Sequence, residues 1–317
     1  MSTGLDLFRL LVFVTVVDRS GYSAAAEHLN VSQATVSFHV QALERWFGAK
    51  LLVYERRTIH LTPAGEEVYR GARAMLQESE RVAQSVRDVR RGRRGRVSVG
   101  ASMAFEQAYF MERVVAPFCR AHDRTHVSLR FGHSVAQAEA VDGHELDLAY
   151  VIGWQLPSGV SYERLHEAEF IFLVAPQHPL ADKAQVTVDD VAEAGLIAAP
   201  LDSLEWSYYG RVLRDCGLES VEPVLEVDGV QARVLAARAG LGVLGTFYPP
   251  YAGEDAHGPL VALDMERPSA SVEVGLVSRA DGSMSASAKR FADWLRQVSS
   301  TTPAGARGTP RPGAAAD

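Results

Sequence analysis

The stretch SQATVSFHVQALERWF, residues 32–47, decides the fold of the chain around it. Its apolar residues recur at steps of four, three and four, which puts them on one stripe of an α-helix: Val36, Val40, Leu43 and Phe47. Ser32 stands before the helix, where its hydroxyl can cap the free N–H groups of the first turn. The opposite face carries small, hydroxyl and amide side chains and no carboxylate, which suits a helix that enters the major groove of DNA. A solvated amphipathic helix is the alternative for this segment alone.

The residues before this helix favour the DNA-reading interpretation. Residues 23–29, SAAAEHL, predict a short helix with Ser23 as its cap, and Asn30 and Val31 form a tight connection to the next helix. Two helices joined by such a turn make a helix-turn-helix, in which the second helix reads DNA. Residues 5–17 predict a third helix, apolar enough to hold the other two.

The residues after the reading helix predict a wing. Gly48 ends the helix, and residues 51–54 and 58–61 read as two short strands. Arg56 and Arg57 lie at the tip between the strands, where they can meet phosphate or enter the minor groove.

These elements give a set of candidate DNA-contacting residues. The predicted base readers are Gln33, Ala34, Ser37 and Phe38. Their supporting neighbours are Ser32, Thr35 and Gln41. Arg56 and Arg57 are predicted to grip the DNA backbone or the minor groove.

The charge of the chain divides at the same place as the motifs. The net charge is −7, but residues 1–96 carry 15 Lys and Arg against 10 Asp and Glu, hence +5. Residues 97–317 carry 17 against 29, hence −12. The basic charge of residues 1–96 and the acidic charge of residues 97–317 indicate that only the N-terminal region contacts nucleic acid. Ordinary scatter of charge is the alternative.

A long helix is predicted to follow the wing. Pro63 suits the first turn of a helix that Thr62 caps and that extends to about Arg90. Its apolar positions, together with Ser79, step alternately by four and three, which is a heptad seam: Val68, Ala72, Met75, Val82, Val86 and Val89. A single long helix can bury such a narrow apolar stripe best against the same helix of a second chain. These residues are therefore predicted to form a dimer contact. Packing on the body of the same chain is the alternative.

From residue 97 the chain alternates between strand and helix patterns, which predicts a mostly parallel sheet covered by helices. Ligands bind such sheets at the carboxyl ends of strands. The candidate effector-binding residues at these points are Ser102, Met103, His133, Ser134, Pro200, Leu201, Ser203, Thr246 and Phe247. An aromatic wall is a further hypothesis, formed by Trp154, Trp206, Tyr208, Tyr209 and Phe247. The alternative is that these rings belong to the core.

Several classes of protein are not indicated. Cys119 and Cys216 lie far apart and form no CxxC pair, so they are predicted to be buried core thiols. The sequence contains no metal-binding histidine spacing, no nucleophile elbow and no phosphate-binding loop, so we predict no metal site, no cofactor and no enzyme. No segment is long and apolar enough to cross a bilayer, and the predicted location is the cytoplasm.

Residues 5–65 resemble the DNA-binding domain of the LysR-type transcriptional regulators. The resemblance rests on these residues: Phe13, Ser23, Ala25, Ala26, Leu29, Ser32, Gln33, Ser37, Leu43, Glu44, Gly48, Leu51 and the run Leu61-Thr62-Pro63-Ala64-Gly65. It continues more weakly to about residue 298. The family usually has proline where Ala34 stands, a polar or basic reader where Phe38 stands, and arginine where Tyr54 stands.

The resemblance implies a fold class and a set of partners. The fold class is multidomain: an N-terminal winged helix-turn-helix (all-α plus wing), a long linker helix, and a C-terminal α/β domain of two subdomains like a periplasmic binding protein. The implied partners are double-stranded DNA with an inverted repeat, a small-molecule effector, RNA polymerase and further copies of the chain, as a homodimer or homotetramer.

The predicted domain boundaries follow from both lines of reasoning. They are 1–62 for the winged helix-turn-helix, 63–91 for the linker helix, 92–96 for the hinge, 97–298 for the effector-binding domain and 299–317 for a disordered tail. Within the effector-binding domain, subdomain I comprises 97–166 and 265–298, and subdomain II comprises 167–264. The rival function is a cytoplasmic small-molecule binding module whose N-terminal domain makes protein contacts.

Overall fold

A computed structural model describes residues 5–55, 58–90, 95–105, 110–218, 222–248, 259–266 and 270–300. The chain divides into two compact units. The N-terminal unit comprises residues 1–93 with 143–145, and the C-terminal unit comprises 94–142 with 146–317.

The N-terminal unit contains the predicted winged helix-turn-helix and long helix. Its elements are α1 (Leu7–Asp18), α2 (Tyr22–Leu29), α3 (Gln33–Phe47), β1 (Leu52–Glu55), β2 (Thr58–Leu61) and α4 (Pro63–Arg90). The Ser32 hydroxyl accepts from the backbone N–H of Thr35 at 3.1 Å, and Gly48 ends α3 with a φ of 67°. The Thr62 hydroxyl accepts from the N–H of Gly65 at 2.9 Å. These three predicted helix ends are therefore confirmed.

The predicted cap of α2 is wrong. The helix begins at Tyr22, so Ser23 lies inside its first turn. The cap position is occupied by Gly21, which has no side chain to cap the helix. The Ser23 hydroxyl instead donates to Oε1 of Gln33 at 3.3 Å. This contact joins the two helices of the helix-turn-helix near the start of α3.

Helix α1 packs against the other helices with two of its faces. Leu10 and Phe13 belong to a buried cluster with Leu43 of α3 and with residues of α4. Val12 and Val16 belong to a second cluster, with Ala25, Ala26, Val36 and Val40. Because α1 supports both α2 and α3, the orientation of α3 is fixed by apolar packing on the side away from its exposed face.

The C-terminal unit is built on one sheet of nine strands. The strands are β3 (Gly95–Ser102), β4 (Thr125–Gly132), β5 (Leu148–Ile152), β6 (Val160–Val174), β7 (Leu196–Ala198), β8 (Pro223–Glu226), β9 (Val243–Tyr248), β10 (Val261–Ala262) and β11 (Ser271–Arg279). Their order is β4-β3-β5-β11-β6-β9-β7-β8, and β10 also pairs with β6. The helices are α5 (Ala116–Ala121), α6 (Ser134–Asp142), α7 (Val188–Ala194), α8 (Leu204–Asp215), α9 (Val230–Arg238) and α10 (Ala286–Ser300).

The sheet is mixed, so the prediction of a mostly parallel sheet is only half right. The outer pairs are parallel: β3 with β4 and β5, and β7 with β8 and β9. The central pairs are antiparallel because β6 and β11 are the two segments that connect the halves of the unit. The resemblance implies that the chain crosses between the two halves near residues 164–169. This segment lies inside β6, which pairs first with β11 and then with β9.

Two predicted helices have different bounds in the structure. The sequence pattern predicts one helix over residues 105–122, whereas the structure has a 3-10 turn (Met103–Phe105), a π-helix (Phe110–Val115) and α5. Pro117 lies in the first turn of α5 and has no N–H to continue the helical ladder. The sequence pattern predicts that the next helix begins at Tyr208, but α8 begins at Leu204, because Ser203 caps it by accepting from the N–H of Trp206 at 3.1 Å.

The two cysteines differ in their environment. Cys216 is buried as predicted, and burial raises the pKa of its thiol. Cys119 is exposed on α5, so its predicted burial is wrong. Among the residues that the structure describes, no group of three or more His, Cys, Asp or Glu could hold a metal ion. None of the described helices combines the length and apolarity needed to cross a membrane.

Candidate functional site

The outer face of α3 is exposed and uncharged over its first two turns. Gln33, Ala34, Phe38 and Gln41 are exposed, and Ser37 beside them is half-buried. The amide of Gln41 donates to the Ser37 hydroxyl at 3.2 Å. At the start of the helix the hydroxyls of Ser32 and Thr35 lie 2.8 Å apart. All predicted residues of α3 thus lie on one side of the helix or at its N-terminus, although Thr35 is half-buried.

Glu44 is the one carboxylate within α3, all of which the structure describes, and it points away from the exposed face. It is 9% exposed, and its Oε1 accepts from the backbone N–H of Leu51 at 3.0 Å. Its Oε2 accepts from Nζ of Lys50 at 2.7 Å. The side chain therefore ties the last turn of α3 to the start of the wing.

An aromatic row connects α1 to the exposed face of α3. The ring of Phe38 meets His39 edge-on at a centroid distance of 5.4 Å, and His39 meets Phe8 of α1 edge-on at 5.0 Å. Phe38 is nevertheless 57% exposed. The row thus supports one side of the Phe38 ring and leaves the rest of it open to solvent.

The wing is an antiparallel hairpin, with Leu52 opposite Leu61 and Glu55 opposite Thr58. Tyr54, on β1, is exposed. Arg56 and Arg57, the predicted phosphate contacts, lie outside the described residues.

The predicted dimer seam on α4 divides into two parts. Ala72 is only 2% exposed and packs in the cluster of α1 and α3, with Val68 partly buried beside it. The prediction that Ala72 contacts a second chain is therefore wrong, because its own chain covers it. Met75, Val82 and Val86 are exposed at 49%, 56% and 57%. The side chain of Val89 lies outside those that the structure describes.

A cavity of about 310 Å³ opens in the C-terminal unit, between the ends of β3, β4 and β5 on one side and α8 and β9 on the other. Five of the predicted ligand contacts line it: Ser102, Met103, His133, Ser134 and Phe247. The aromatic residues Trp154, Tyr208 and Tyr209 line it as well. The remaining predicted contacts, Pro200, Leu201, Ser203 and Thr246, do not, and neither does Trp206.

Three of the four absent contacts have structural reasons. Ser203 uses its hydroxyl to cap α8. Leu201 is exposed, and its backbone N–H donates to Glu226. Thr246 lies within β9 rather than beyond it, and neighbouring side chains of a strand face opposite sides. Because Phe247 faces the cavity, Thr246 faces away from it. Pro200 lies beside Leu201, in the turn before α8.

The aromatic side of the cavity contains a buried polar atom. The Tyr208 hydroxyl is buried and has no hydrogen-bond partner in the described part of the chain. Burial raises the pKa of Tyr208 well above its usual value of 10, so the phenol stays protonated. The ring tilts against Phe247 at 5.6 Å and against Trp154 at 6.5 Å. The guanidinium of Arg211 lies 4.1 Å from the centroid of the Trp154 ring.

The opposite side of the cavity carries two serine hydroxyl groups, one at the end of β3 and one at the start of α6. Ser102 is 3% exposed and ends β3. The Ser134 hydroxyl accepts from the backbone N–H of Ile152 at 3.2 Å, which joins the start of α6 to the end of β5. The cavity therefore combines an aromatic wall with hydroxyl groups, as a site for a small organic molecule does.

Comparison with protein families identifies the chain. Residues 7–66 match the model of the bacterial regulatory helix-turn-helix protein, lysR family, and residues 90–300 match that of the LysR substrate binding domain. The chain belongs to the LysR family. It is a LysR-type transcriptional regulator with a helix-turn-helix DNA-binding domain and an effector-binding domain, and the resemblance and fold class derived from the sequence are confirmed. The members of this family are transcriptional regulators rather than enzymes.

Individual relatives agree with this assignment. The transcriptional regulator XapR of Escherichia coli K12 is 26% identical over 239 residues, which cover 75% of this chain and 81% of XapR. The regulator PtxR of Pseudomonas aeruginosa is 28% identical over 261 residues, which cover 82% of each protein. A crystal structure of full-length CbnR in complex with its target DNA has the same fold, with a TM-score of 0.61 at 19% identity over 93% of this chain and all of CbnR.

Sequence reasoning missed two polar residues of the LysR-type cavity. Glu139 lies one turn into α6, four residues after Val135, which also lines the cavity. Its helical spacing from the start of α6 was the available signal. Gln155 follows Trp154 and has a φ of 47°. No glycine or asparagine at this position signals this left-handed conformation in the sequence. Ala104, Ala136 and Ile152 complete the apolar lining.

Proposed function

We propose that this LysR-type regulator binds an inverted-repeat promoter site as a dimer, with one α3 in each half-site. The observation that carries the proposal is the exposed face of α3, which is uncharged, rich in amide and hydroxyl groups, and capped so that its N-terminus stays accessible. Gln33, Ala34, Ser37 and Phe38 would read bases. Ser32, Thr35 and Gln41 would support them.

Further contacts follow from the charge of the chain. We propose that Arg56 and Arg57 of the wing contact the DNA backbone or the minor groove, because the N-terminal 96 residues are basic and the rest of the chain is acidic. We also propose that the regulator works in the cytoplasm, where its DNA target is accessible, and that contact with RNA polymerase lets it change transcription. We assign residues 1–62 to DNA binding, 63–91 to the linker helix, 92–96 to the hinge and 97–298 to effector binding.

The experiment that tests DNA recognition is fluorescence anisotropy of the full chain on its own upstream intergenic DNA. A scrambled duplex serves as the control, and both are measured at two salt concentrations. We expect tight binding to the upstream DNA, with weaker and more salt-sensitive binding to the scrambled duplex. Absence of binding to either duplex by a folded dimer would favour the rival small-molecule binding module.

Dimerisation is proposed to use the exposed stripe of α4. Met75, Val82 and Val86 are spaced by seven and four residues and leave three large apolar side chains in water. A second copy of α4 would cover them. A pair of such dimers would give the tetramer that the resemblance implies.

Replacing Val82 by glutamate is expected to raise the dimer dissociation constant at least ~30-fold, because two carboxylates would then face each other in an apolar seam. Analytical ultracentrifugation over a range of concentrations measures this constant. Ala83→Glu is the matched control, since Ala83 is exposed one residue beyond the stripe position and gains the same charge. An equal effect of both substitutions would place the dimer contact elsewhere.

The cavity of the C-terminal unit is proposed to hold an effector with an apolar or aromatic body. Trp154, Tyr208 and Phe247 supply flat apolar surfaces, and the volume of about 310 Å³ admits a molecule of one or two rings. Ser102 and Ser134, with His133 and Glu139 beside them, can bind polar substituents.

Binding of such an effector is expected to change the fluorescence of Trp154. We would titrate the protein with aromatic compounds that alter its DNA affinity and record the tryptophan emission. Trp154→Phe should remove most of the change. Trp294→Phe should keep it, because Trp294 packs on Phe118 and donates to the carbonyl of Val114, away from the cavity. A change that survives Trp154→Phe would contradict this location.

A further inference from the structure

Two stripes of different chemistry run side by side along the exposed face of α3. Ser37 and Gln41 lie one turn apart and are joined by a hydrogen bond of 3.2 Å, so they form a polar stripe. Ala34 and Phe38 lie one turn apart next to them and form an apolar stripe. A helix in the major groove would present both stripes to neighbouring base pairs.

Phe38 is held in position while most of its surface is free. It is 57% exposed, and its ring rests edge-on against His39, which in turn rests against Phe8 of α1. This row starts in a different helix, so the ring has support beyond its own backbone. Ala34, one turn earlier, leaves space beside the ring because its side chain is a single methyl group.

A phenylalanine ring can recognise only one feature of the major groove. The base edges there present hydrogen-bond donors and acceptors beside small ring C–H groups, and the C5 methyl group of thymine is the one apolar substituent that projects into the groove. The ring can neither donate nor accept, so burying a polar base edge against it would leave that edge without a partner. A methyl group, in contrast, gains from contact with the ring.

We propose that Phe38, together with Ala34, selects a thymine in each half-site through its C5 methyl group. This inference rests on the proposed function, because it requires α3 to lie in the major groove. It adds a base identity to that function. 5-Methylcytosine carries the same methyl group, and we commit to thymine as the natural contact.

The test replaces single thymines by deoxyuridine, which removes the methyl group and keeps every hydrogen-bonding group. Footprinting on the upstream intergenic DNA first locates the operator. The duplexes are then copies of this operator with symmetric substitutions at one position at a time. Fluorescence anisotropy at constant salt gives the affinity of the full chain for each. We expect about fourfold weaker binding per half-site at one or two thymine positions and no change at the others.

Two protein variants connect the effect to the ring. Phe38→Ala should bind thymine and deoxyuridine duplexes equally at the sensitive positions. Trp46→Ala is the matched control, because Trp46 is an exposed aromatic residue in the last turn of the same helix and should keep the wild-type ratio. The readout is the ratio of each protein's affinities for the thymine duplex and the deoxyuridine duplex. A variant that loses affinity for both duplexes equally leaves this ratio unchanged.

The outcomes separate the inference from the function on which it rests. Equal wild-type binding to the operator and to scrambled DNA would overturn the proposed function. Specific binding without any deoxyuridine-sensitive position would overturn only the thymine contact, as would a sensitive position that persists in Phe38→Ala. A parallel set with 5-methylcytosine in place of cytosine, if it alone altered affinity, would assign the ring to methylated cytosine and contradict our choice.

Discussion

Replacing Ala34 by glutamate is expected to lower the affinity for the operator about 100-fold, which is the largest effect that we expect on DNA binding. Ala34 lies in the first turn of α3 on its exposed face, where the structure has no negative charge. A carboxylate there would meet phosphates and base acceptors, and like charges at an interface cost several kcal/mol. Anisotropy with the upstream duplex measures the loss.

Ala34→Ser is the matched control for this prediction. The serine adds a small polar group at the same position without a charge, so its affinity should stay within about threefold of wild type. Both variants should keep the fold because residue 34 is exposed. If Ala34→Glu bound as tightly as Ala34→Ser, the first turn of α3 would not lie in the groove.

Replacing Glu44 by alanine is expected to destabilise the N-terminal unit by about 2 kcal/mol. The substitution removes the acceptor of the buried Leu51 N–H and the partner of Lys50. Hydrogen bonds to charged groups contribute about 1.5–3 kcal/mol, and an unpaired buried donor adds a penalty. Because the salt bridge to Lys50 is exposed on the lysine side, we assign most of the effect to the Leu51 N–H.

Hydrogen exchange of the full chain, read by mass spectrometry, isolates this effect. Amides of α1 and α3 should lose protection by a factor of about 30 in Glu44→Ala, which corresponds to the expected free energy. Glu44→Gln should lose less, because the amide oxygen can still accept from Leu51. Glu27→Ala is the control, since Glu27 is an exposed carboxylate of α2. Unchanged protection in Glu44→Ala would show that the hydrogen bonds of Glu44 contribute nothing measurable to the stability of this unit.

The N-terminal unit could be predicted closely from sequence because its determinants are local. The side-chain caps at Ser32 and Thr62 and the glycine at position 48 act within one helical turn. The apolar spacing in α3 gave its buried face. Ser23 misled the prediction because a serine before an Ala-rich segment looks like a cap, whereas here it bonds to Gln33 in the next helix.

The C-terminal unit could be predicted less well because its determinants are distant in sequence. The long strand β6 contains polar residues that alternate weakly, and its antiparallel partner β11 is about 110 residues away along the chain. Sequence reasoning at strand ends found the Ser102 and Ser134 side of the cavity. It misplaced Thr246 because the end of β9 lies at Tyr248. Ala72 was misassigned for a related reason, since a heptad seam does not reveal which chain covers it.

The central pair of strands has a mechanical consequence for the C-terminal unit. Strands β6 and β11 carry the hydrogen-bonded sheet without a break from one half of the unit to the other. A change in the angle between the halves must therefore twist the two-stranded ribbon that β6 and β11 form. It cannot occur by rotation about flexible loops alone. The ribbon has one irregular point, between Val274 and Gly275, where the pairing shifts and a Cβ on Gly275 would meet the carbonyl oxygen of Glu163. We therefore expect the hydrogen bonds of this ribbon to resist a change of angle and to favour its reversal once a ligand leaves the cavity.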